Sequence, residues 1–112
     1  MTDDEKLCEI FHTIGRDAVI EQALEECGEF IQAGAKHLRI MHGKNYTPVK
    51  LADNCENLLE EMADVMLCID VLITAFSADR DKTKKNIEAI KRAKMERWLT
   101  RLNIGARNER KP

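Results

Sequence analysis

Apolar residues recur every three or four positions along most of this chain, which is the spacing of helices that bury one face. Residues that interrupt helices are few, since the 112 residues include five glycines and two prolines. Aromatic residues make up only 4% of the chain. Small β-barrels and sandwiches instead need many short strands joined by turns. The sequence therefore predicts an all-α protein.

Local start and stop signals divide the chain into four predicted helices. A capping box opens the first helix, because Thr2 is followed three positions later by Glu5. Asp17 and Asp53 are the predicted caps of the second and third helices, and Gly43 lies just beyond the end of the second. The predicted helices cover roughly residues 3–14, 17–41, 53–76 and 82–102.

The small size of the chain limits its core. A chain of 112 residues buries only about two-thirds of the surface that it exposes when unfolded. Association with further copies would cover more of its apolar surface. We expect one domain over residues 1–102, followed by a polar, basic and flexible tail over residues 103–112.

Nothing in the sequence resembles a targeting or membrane segment. The first residues are acidic and lack the apolar stretch of a secretory signal, and the nearly apolar run over residues 65–76 is too short to span a bilayer. No two cysteines form a CxxC pair, so we predict buried free thiols in a reducing cytoplasm. The cysteines are Cys8, Cys27, Cys55 and Cys68.

Charge is distributed unevenly along the chain. Residues 1–79 contain 16 Asp and Glu against 6 Lys and Arg, whereas residues 80–112 contain 4 against 12. The two parts can neutralise each other on packing, or the acidic part can hold cations while the basic part holds an anion such as phosphate. A nucleic-acid-binding tail is a third alternative, and the scarcity of aromatic residues among the basic ones weakens it.

Two acidic residues of the third helix interrupt its apolar face. Glu61 falls in the middle of the apolar stripe, and Asp64 lies on its edge beside Asn57. These carboxylates are three residues apart, so they adjoin on one helix surface. Burying ionised carboxylates is costly unless a cation or hydrogen-bond donors compensate. Glu60, in contrast, points away from the stripe toward solvent. The stripe consists of Leu58, Val65, Cys68, Ile69, Leu72 and Phe76.

The second helix repeats this pattern. Glu26 and Glu29 are also three residues apart, and Glu26 adjoins the apolar face. Gln22 lies on the same strip, whereas Glu25 is displaced toward the outside. The predicted apolar face consists of Ile20, Ala23, Leu24, Cys27, Phe30 and Ile31.

Antiparallel packing of these two helices would bring the four carboxylates together. Hard oxygen ligands suit Mg²⁺ or Mn²⁺, which complete their coordination with water and phosphate oxygens. On the fourth helix, Lys94 lies in an apolar stripe with Arg97 and Arg101 at its edge. Lys94 either extends to solvent or binds phosphate together with an arginine. The combination suits hydrolysis of a polyphosphate.

The motifs of other phosphate and metal chemistries are missing. The sequence contains no P-loop and no glycine-rich phosphate cradle. Glu9 and His12 form a single ExxH pair, whereas a carboxylate-bridged di-iron bundle uses two such pairs and two more glutamates.

Two segments resemble the signature of a known family. Residues 25–29 (EECGE) and 61–64 (EMAD) resemble the EExxE…ExxD signature of the all-α nucleoside triphosphate pyrophosphohydrolases, the MazG-like superfamily. Residues 94–96 (KME) resemble a lysine-containing segment near the C-terminus of that family. The resemblance covers roughly residues 15–102. Both motifs in order, with an apolar helix after the second, are fairly specific.

The resemblance implies a fold, an activity and a set of site residues. It implies four helices that complete a bundle with a second subunit in a homodimer or homotetramer. It also implies Mg²⁺-dependent hydrolysis of (deoxy)nucleoside triphosphates to nucleoside monophosphate and pyrophosphate, with Mn²⁺ as a substitute. Glu25 would help to orient water, and Lys94 would contact phosphate. The implied metal ligands are Glu26, Glu29, Glu61 and Asp64.

The sequence also departs from the family pattern. The segment between the motifs is long, and we place the excess at residues 43–52. Trp98 stands where some relatives have a substrate-binding asparagine, so it is either a core residue or part of a reshaped nucleotide site. Gln22 and Asn57 are further nucleotide-site candidates. Two alternatives stay open: a phosphoribosyl-ATP pyrophosphohydrolase-like activity, and a non-catalytic helical dimerisation or adaptor module.

Overall fold

The computed structural model describes residues 1–43, 45–76 and 78–102, and within these ranges it contains four α-helices and no strand. The all-α prediction is confirmed. The chain divides into two compact units, residues 1–76 and residues 77–112. The predicted tail over 103–112 lies outside the described residues, and the single domain over 1–102 stays a prediction. The helices are α1 (Asp3–Ile14), α2 (Arg16–His42), α3 (Leu51–Phe76) and α4 (Arg80–Arg101).

Two of the predicted helix boundaries are confirmed in detail. The Thr2 hydroxyl accepts a hydrogen bond from the Glu5 backbone N–H at 3.1 Å and donates to the Glu5 carboxylate at 3.2 Å, which caps α1. Gly43 ends α2 in the left-handed region at φ 63°, and its N–H donates to the Arg39 carbonyl at 3.0 Å. Glycine adopts this conformation without the steric cost that other residues meet.

Three other boundaries differ from the prediction. Asp17 and Asp53 are not caps, because both lie inside the first turn of their helices. There the carboxylates interact favourably with the positive end of the helix dipole, so the same residue type suits either position. The fourth helix begins two residues earlier than predicted because Asp79 caps it, accepting a hydrogen bond from the Lys82 N–H at 3.0 Å.

Unit 1–76 is built on the packing of α2 against α3, with α1 packed mainly on α3. Its apolar core consists of Val19 and Ala33 from α2 and Val71 and Ile73 from α3. A polar pair also joins the two long helices. Asn54 is 1% exposed, and its Oδ1 lies 3.0 Å from Nδ1 of His37.

The predicted apolar faces are wider than the surface that packs within one chain. On α2, Leu24 and Ile31 are 68% and 69% exposed. On α3, Ile69 and Phe76 are 46% and 71% exposed. Each helix covers only one strip of its neighbour. The predicted apolar residues beside that strip are therefore exposed to solvent, and the core is limited to Val19, Ala33, Val71 and Ile73.

The cysteines and Trp98 also differ from the prediction. All four thiols are free, but Cys27 and Cys55 are exposed and only Cys8 and Cys68 are half-buried. Trp98 is 62% exposed, so it is not a core residue of the single chain. It lies on α4, which buries none of its side chains. None of the helices in the described ranges has an apolar stretch long enough to cross a membrane.

Candidate metal centre

Four carboxylates from α2 and α3 converge at one point in unit 1–76. Each offers one oxygen, and these four oxygens all lie within 4.8 Å of one another. The spacing within each helix explains the arrangement, because residues three apart share a helix surface. Packing of α2 against α3 then brings the two pairs together. The four residues, called the acidic cluster below, are Glu26, Glu29, Glu61 and Asp64.

Burial divides the acidic cluster into an inner and an outer pair. Glu26 and Glu61 are half-buried, whereas Glu29 and Asp64 are exposed. The inner pair has two oxygens, Glu26 Oε2 and Glu61 Oε2, that are buried and have no hydrogen-bond partner among the described residues. A buried carboxylate oxygen without a partner is costly, and a cation would remove that cost. The inner pair is therefore suited to ligate a metal ion.

Gln22 orients one of the inner carboxylates. Its Nε2 donates a hydrogen bond of 2.8 Å to Glu26 Oε1 from one turn earlier on α2. That bond satisfies one oxygen of Glu26, while Oε2 stays available to a ligand. Donors of this kind behind a ligand fix its direction and tune its affinity for metal.

The dimensions of the acidic cluster fit a hard divalent cation. Two oxygens on opposite sides of Mg²⁺ at about 2.1 Å are about 4.2 Å apart, and larger Ca²⁺ separates them by about 5 Å. The spread of 4.8 Å therefore needs only small side-chain adjustments to surround one ion. A set made only of carboxylates favours Mg²⁺, Mn²⁺ or Ca²⁺ over metals that prefer nitrogen and sulfur ligands.

The electrostatics of the cluster also favour a cation. Partial burial raises the pKa of the Glu26 carboxyl, and the charges of Glu29 and Asp64 raise it further, although the hydrogen bond from Gln22 opposes them. Burial likewise raises the pKa of the nearby Cys68 thiol, and the charges of Glu26 and Asp64 add to this effect. The Cys68 sulfur is not among the ligand atoms that converge, so the cluster is a site of oxygen ligands.

The other predicted site residues lie in three places. Glu25 is exposed and is not part of the acidic cluster. Asn57 is half-buried on α3, one turn before Glu61, and lines a cavity of about 460 Å³. The predicted phosphate-binding residues belong to the other unit, where they and Trp98 line an open depression of about 710 Å³ on α4. They are Lys94, Arg97 and Arg101.

Sequence reasoning missed the basic residues that line the cavity beside Asn57. Gln32, Lys36 and Arg39 of α2 line it together with Asn57. One signal was present in the sequence. After Glu29, the charged residues of α2 change from acidic to basic, because the segment from residue 30 to residue 42 contains Lys36 and Arg39 and no Asp or Glu.

Comparison with known proteins found no matching family model, no matching curated protein and no matching solved structure. The similarity of residues 25–29 and 61–64 to the EExxE…ExxD signature therefore stays a prediction about family. The functional argument starts from the acidic cluster itself.

Proposed function

We propose that this protein is a Mg²⁺-dependent hydrolase that converts (deoxy)nucleoside triphosphates to nucleoside monophosphate and pyrophosphate. The observation that carries the proposal is the convergence of four carboxylate oxygens within 4.8 Å, in a cluster whose inner pair has two buried oxygens without a hydrogen-bond partner. This geometry supports a divalent-cation site. The resemblance of the two motifs supports the choice of a nucleotide substrate.

In this proposal, each residue of the site has a distinct role. The acidic cluster holds Mg²⁺, which when bound would neutralise phosphate charge and activate water for attack at the α-phosphorus. Gln22 keeps the Glu26 carboxylate in its ligating orientation through the 2.8 Å hydrogen bond. Glu25, exposed beside Glu26 on the same helix, helps to orient the attacking water.

The cationic residues of α4 are the proposed phosphate contacts. Lys94, Arg97 and Arg101 line one depression and are all exposed, so their charged groups are accessible to a substrate. Arginine binds phosphate oxygens in a bidentate manner, and lysine acts as a point charge. Trp98 in the same depression presents an aromatic surface on which a nucleotide base can stack. Gln22 and Asn57 are separate nucleotide-site candidates within unit 1–76.

Exposed apolar stripes support the proposal of a homodimer or homotetramer. Leu24 and Ile31 are seven residues apart on α2, and Leu59 and Met66 are seven apart on α3, so each pair lies on one face. These side chains are 63–69% exposed in the single chain. Exposed apolar surface of this kind favours association, and a second copy would cover it. We place this assembly in the cytoplasm.

Product analysis with a matched pair of variants tests the proposed function. The wild type is incubated with a panel of (deoxy)nucleoside triphosphates in Mg²⁺ or in EDTA, and monophosphate and pyrophosphate are quantified. We expect both products in Mg²⁺ only. Glu61→Gln should lower turnover by at least about 100-fold because it removes a metal ligand. The matched control, Glu60→Gln, changes an exposed neighbour and should leave turnover unchanged.

One result would reject the enzymatic proposal. A folded wild type that neither binds Mg²⁺ nor releases either product would favour the non-catalytic dimerisation or adaptor module. Release of both products by Glu61→Gln at the wild-type rate would show that the acidic cluster is not the reactive site.

A further inference from the structure

An open cavity of about 460 Å³ in unit 1–76 is lined by four side chains with hydrogen-bond donors and by three apolar residues, and none of its described lining residues is acidic. Its polar side chains are Gln32, Lys36 and Arg39 of α2 and Asn57 of α3. All four carry N–H groups, and two of them are cationic. Such a lining suits a ligand that is anionic and accepts hydrogen bonds.

This concentration of positive charge stands out in an acidic part of the chain. Residues 1–79 contain only 6 Lys and Arg, and two of these line the one cavity. Neither Lys36 nor Arg39 forms a side-chain hydrogen bond or an ion pair within the described part of the chain. Lys36 is also half-buried. A cation that is partly removed from water without a partner is available to an external anion.

The polar residues that line the cavity lie one to three helical turns from the acidic cluster along the same two helices. Gln32 is three residues and Lys36 seven residues after Glu29, so the three lie on one face of α2. On α3, Asn57 lies one turn before Glu61. The donors therefore continue the surface on which the carboxylates converge.

We propose that this cavity binds the terminal phosphates of the nucleotide, which are the part released as pyrophosphate. Lys36 and Arg39 supply charge-assisted hydrogen bonds to phosphate oxygens, and Gln32 and Asn57 supply amide donors. A triphosphate is elongated, so a reacting phosphate at the acidic cluster leaves the others to extend into the cavity. The identity of the ligand as a nucleoside triphosphate rests on the proposed function, whereas the preference for an anion follows from the lining.

The cavity also reduces an electrostatic problem of the acidic cluster. A triphosphate carries several negative charges and is repelled by four carboxylates until a cation is bound. Lys36 and Arg39, about two and three helical turns after Glu29, offset part of that repulsion. They also favour the leaving group, since pyrophosphate gains negative charge as the bond breaks.

Calorimetric titration with inorganic pyrophosphate tests the inference without turnover. The wild type, Lys36→Gln and Lys36→Arg are titrated in Mg²⁺ and in EDTA. We expect Lys36→Gln to weaken pyrophosphate binding by about 10-fold or more, because a charged donor is lost. Lys36→Arg keeps the charge and should retain most of the affinity. The matched control is Lys6→Gln, which removes an exposed lysine of α1 and should leave affinity unchanged.

Steady-state kinetics then locates the effect within the reaction. Lys36→Gln should raise KM for the triphosphate and weaken product inhibition by pyrophosphate, while inhibition by the monophosphate stays at the wild-type value. Equal pyrophosphate affinity in Lys36→Gln and Lys6→Gln would overturn the inference. A changed oligomer mass with unchanged pyrophosphate affinity would also overturn it, since the cavity would then be an interface between copies.

The inference and the proposed function fail in different ways. Turnover in Mg²⁺ that is insensitive to Lys36→Gln, with unchanged pyrophosphate affinity, rejects the inference alone. Lys36-dependent binding of pyrophosphate by a protein that hydrolyses none of the triphosphates rejects the proposed hydrolase and leaves a phosphoanhydride-binding site.

Discussion

The α2–α3 pair and α4 both present clusters of like charge, but the two clusters arise in different ways. In the α2–α3 pair, packing of two helices brings four carboxylate oxygens within 4.8 Å and leaves buried oxygens without a partner. On α4, no residue is fully buried, and Lys94, Arg97 and Arg101 are neighbours because they lie on one helix. Tertiary packing thus fixes the acidic cluster, whereas helical spacing alone accounts for the basic one.

The strongest test of this contrast is to substitute the cationic residues of α4. If they contact phosphate, Lys94→Gln and Arg97→Gln should each lower kcat/KM for the triphosphate by about 10- to 100-fold, because a hydrogen bond from a charged donor is lost. Most of this decrease in kcat/KM should come from a higher KM. Lys85→Gln, an exposed lysine elsewhere on α4, is the control. Wild-type kinetics in both variants would restrict the site to unit 1–76.

Core substitutions test the difference in packing. Val71 is 4% exposed on α3, so Val71→Ala should lower the free energy of unfolding by about 2 kcal/mol through lost burial and the cavity left behind. Met95 on α4 is 55% exposed, so Met95→Ala should change the free energy of unfolding by less than about 0.5 kcal/mol. Urea denaturation measures both. If Met95→Ala lowers the free energy of unfolding as much as Val71→Ala does, α4 is covered in the assembled protein.

The smallest expected effect concerns the hydrogen bond that orients Glu26. Gln22→Ala removes the 2.8 Å donor to Glu26 Oε1 and should weaken Mg²⁺ affinity by about 10-fold, as substitutions behind metal ligands do. The loss should grow as the pH falls, because that donor opposes the rise of the Glu26 pKa and protons then compete more strongly with the metal. Glu21→Ala, which alters the exposed neighbour, is the control for calorimetry. Equal affinity in Gln22→Ala and the wild type would remove Gln22 from the site.

The sequence predicted helix type and number well, and some boundaries less well. The helix boundaries at Thr2 and Gly43 were predictable, because a capping box marks a helix start and a glycine in the left-handed conformation marks a helix end. The positions of Asp17 and Asp53 relative to the starts of their helices were not predictable, since an aspartate is favourable both as a cap and in the first turn. The exposure of Leu24 was also missed, because periodicity shows that a face is apolar but not which neighbour covers it.

The candidate site was predictable where a residue conflicts with its surroundings. Glu61 in an apolar stripe is such a conflict, and the same argument led to its three partners. Lys36 was missed because a lysine on a helix surface is ordinary, and only the packing of α3 places Asn57 in the same cavity. The hydrogen bond between His37 and Asn54 has the same origin, since 17 residues separate the two.

Direct measurement of divalent-cation binding tests the central claim most directly. Wild type, Glu61→Gln and Glu60→Gln are titrated with Mn²⁺, with calorimetry or electron paramagnetic resonance as the readout and circular dichroism as the check on folding. The acidic cluster predicts saturable binding to the wild type and to Glu60→Gln, with loss of that binding in Glu61→Gln. Binding of equal strength by all three proteins, or none by the folded wild type, would contradict the assignment of the acidic cluster as a metal centre.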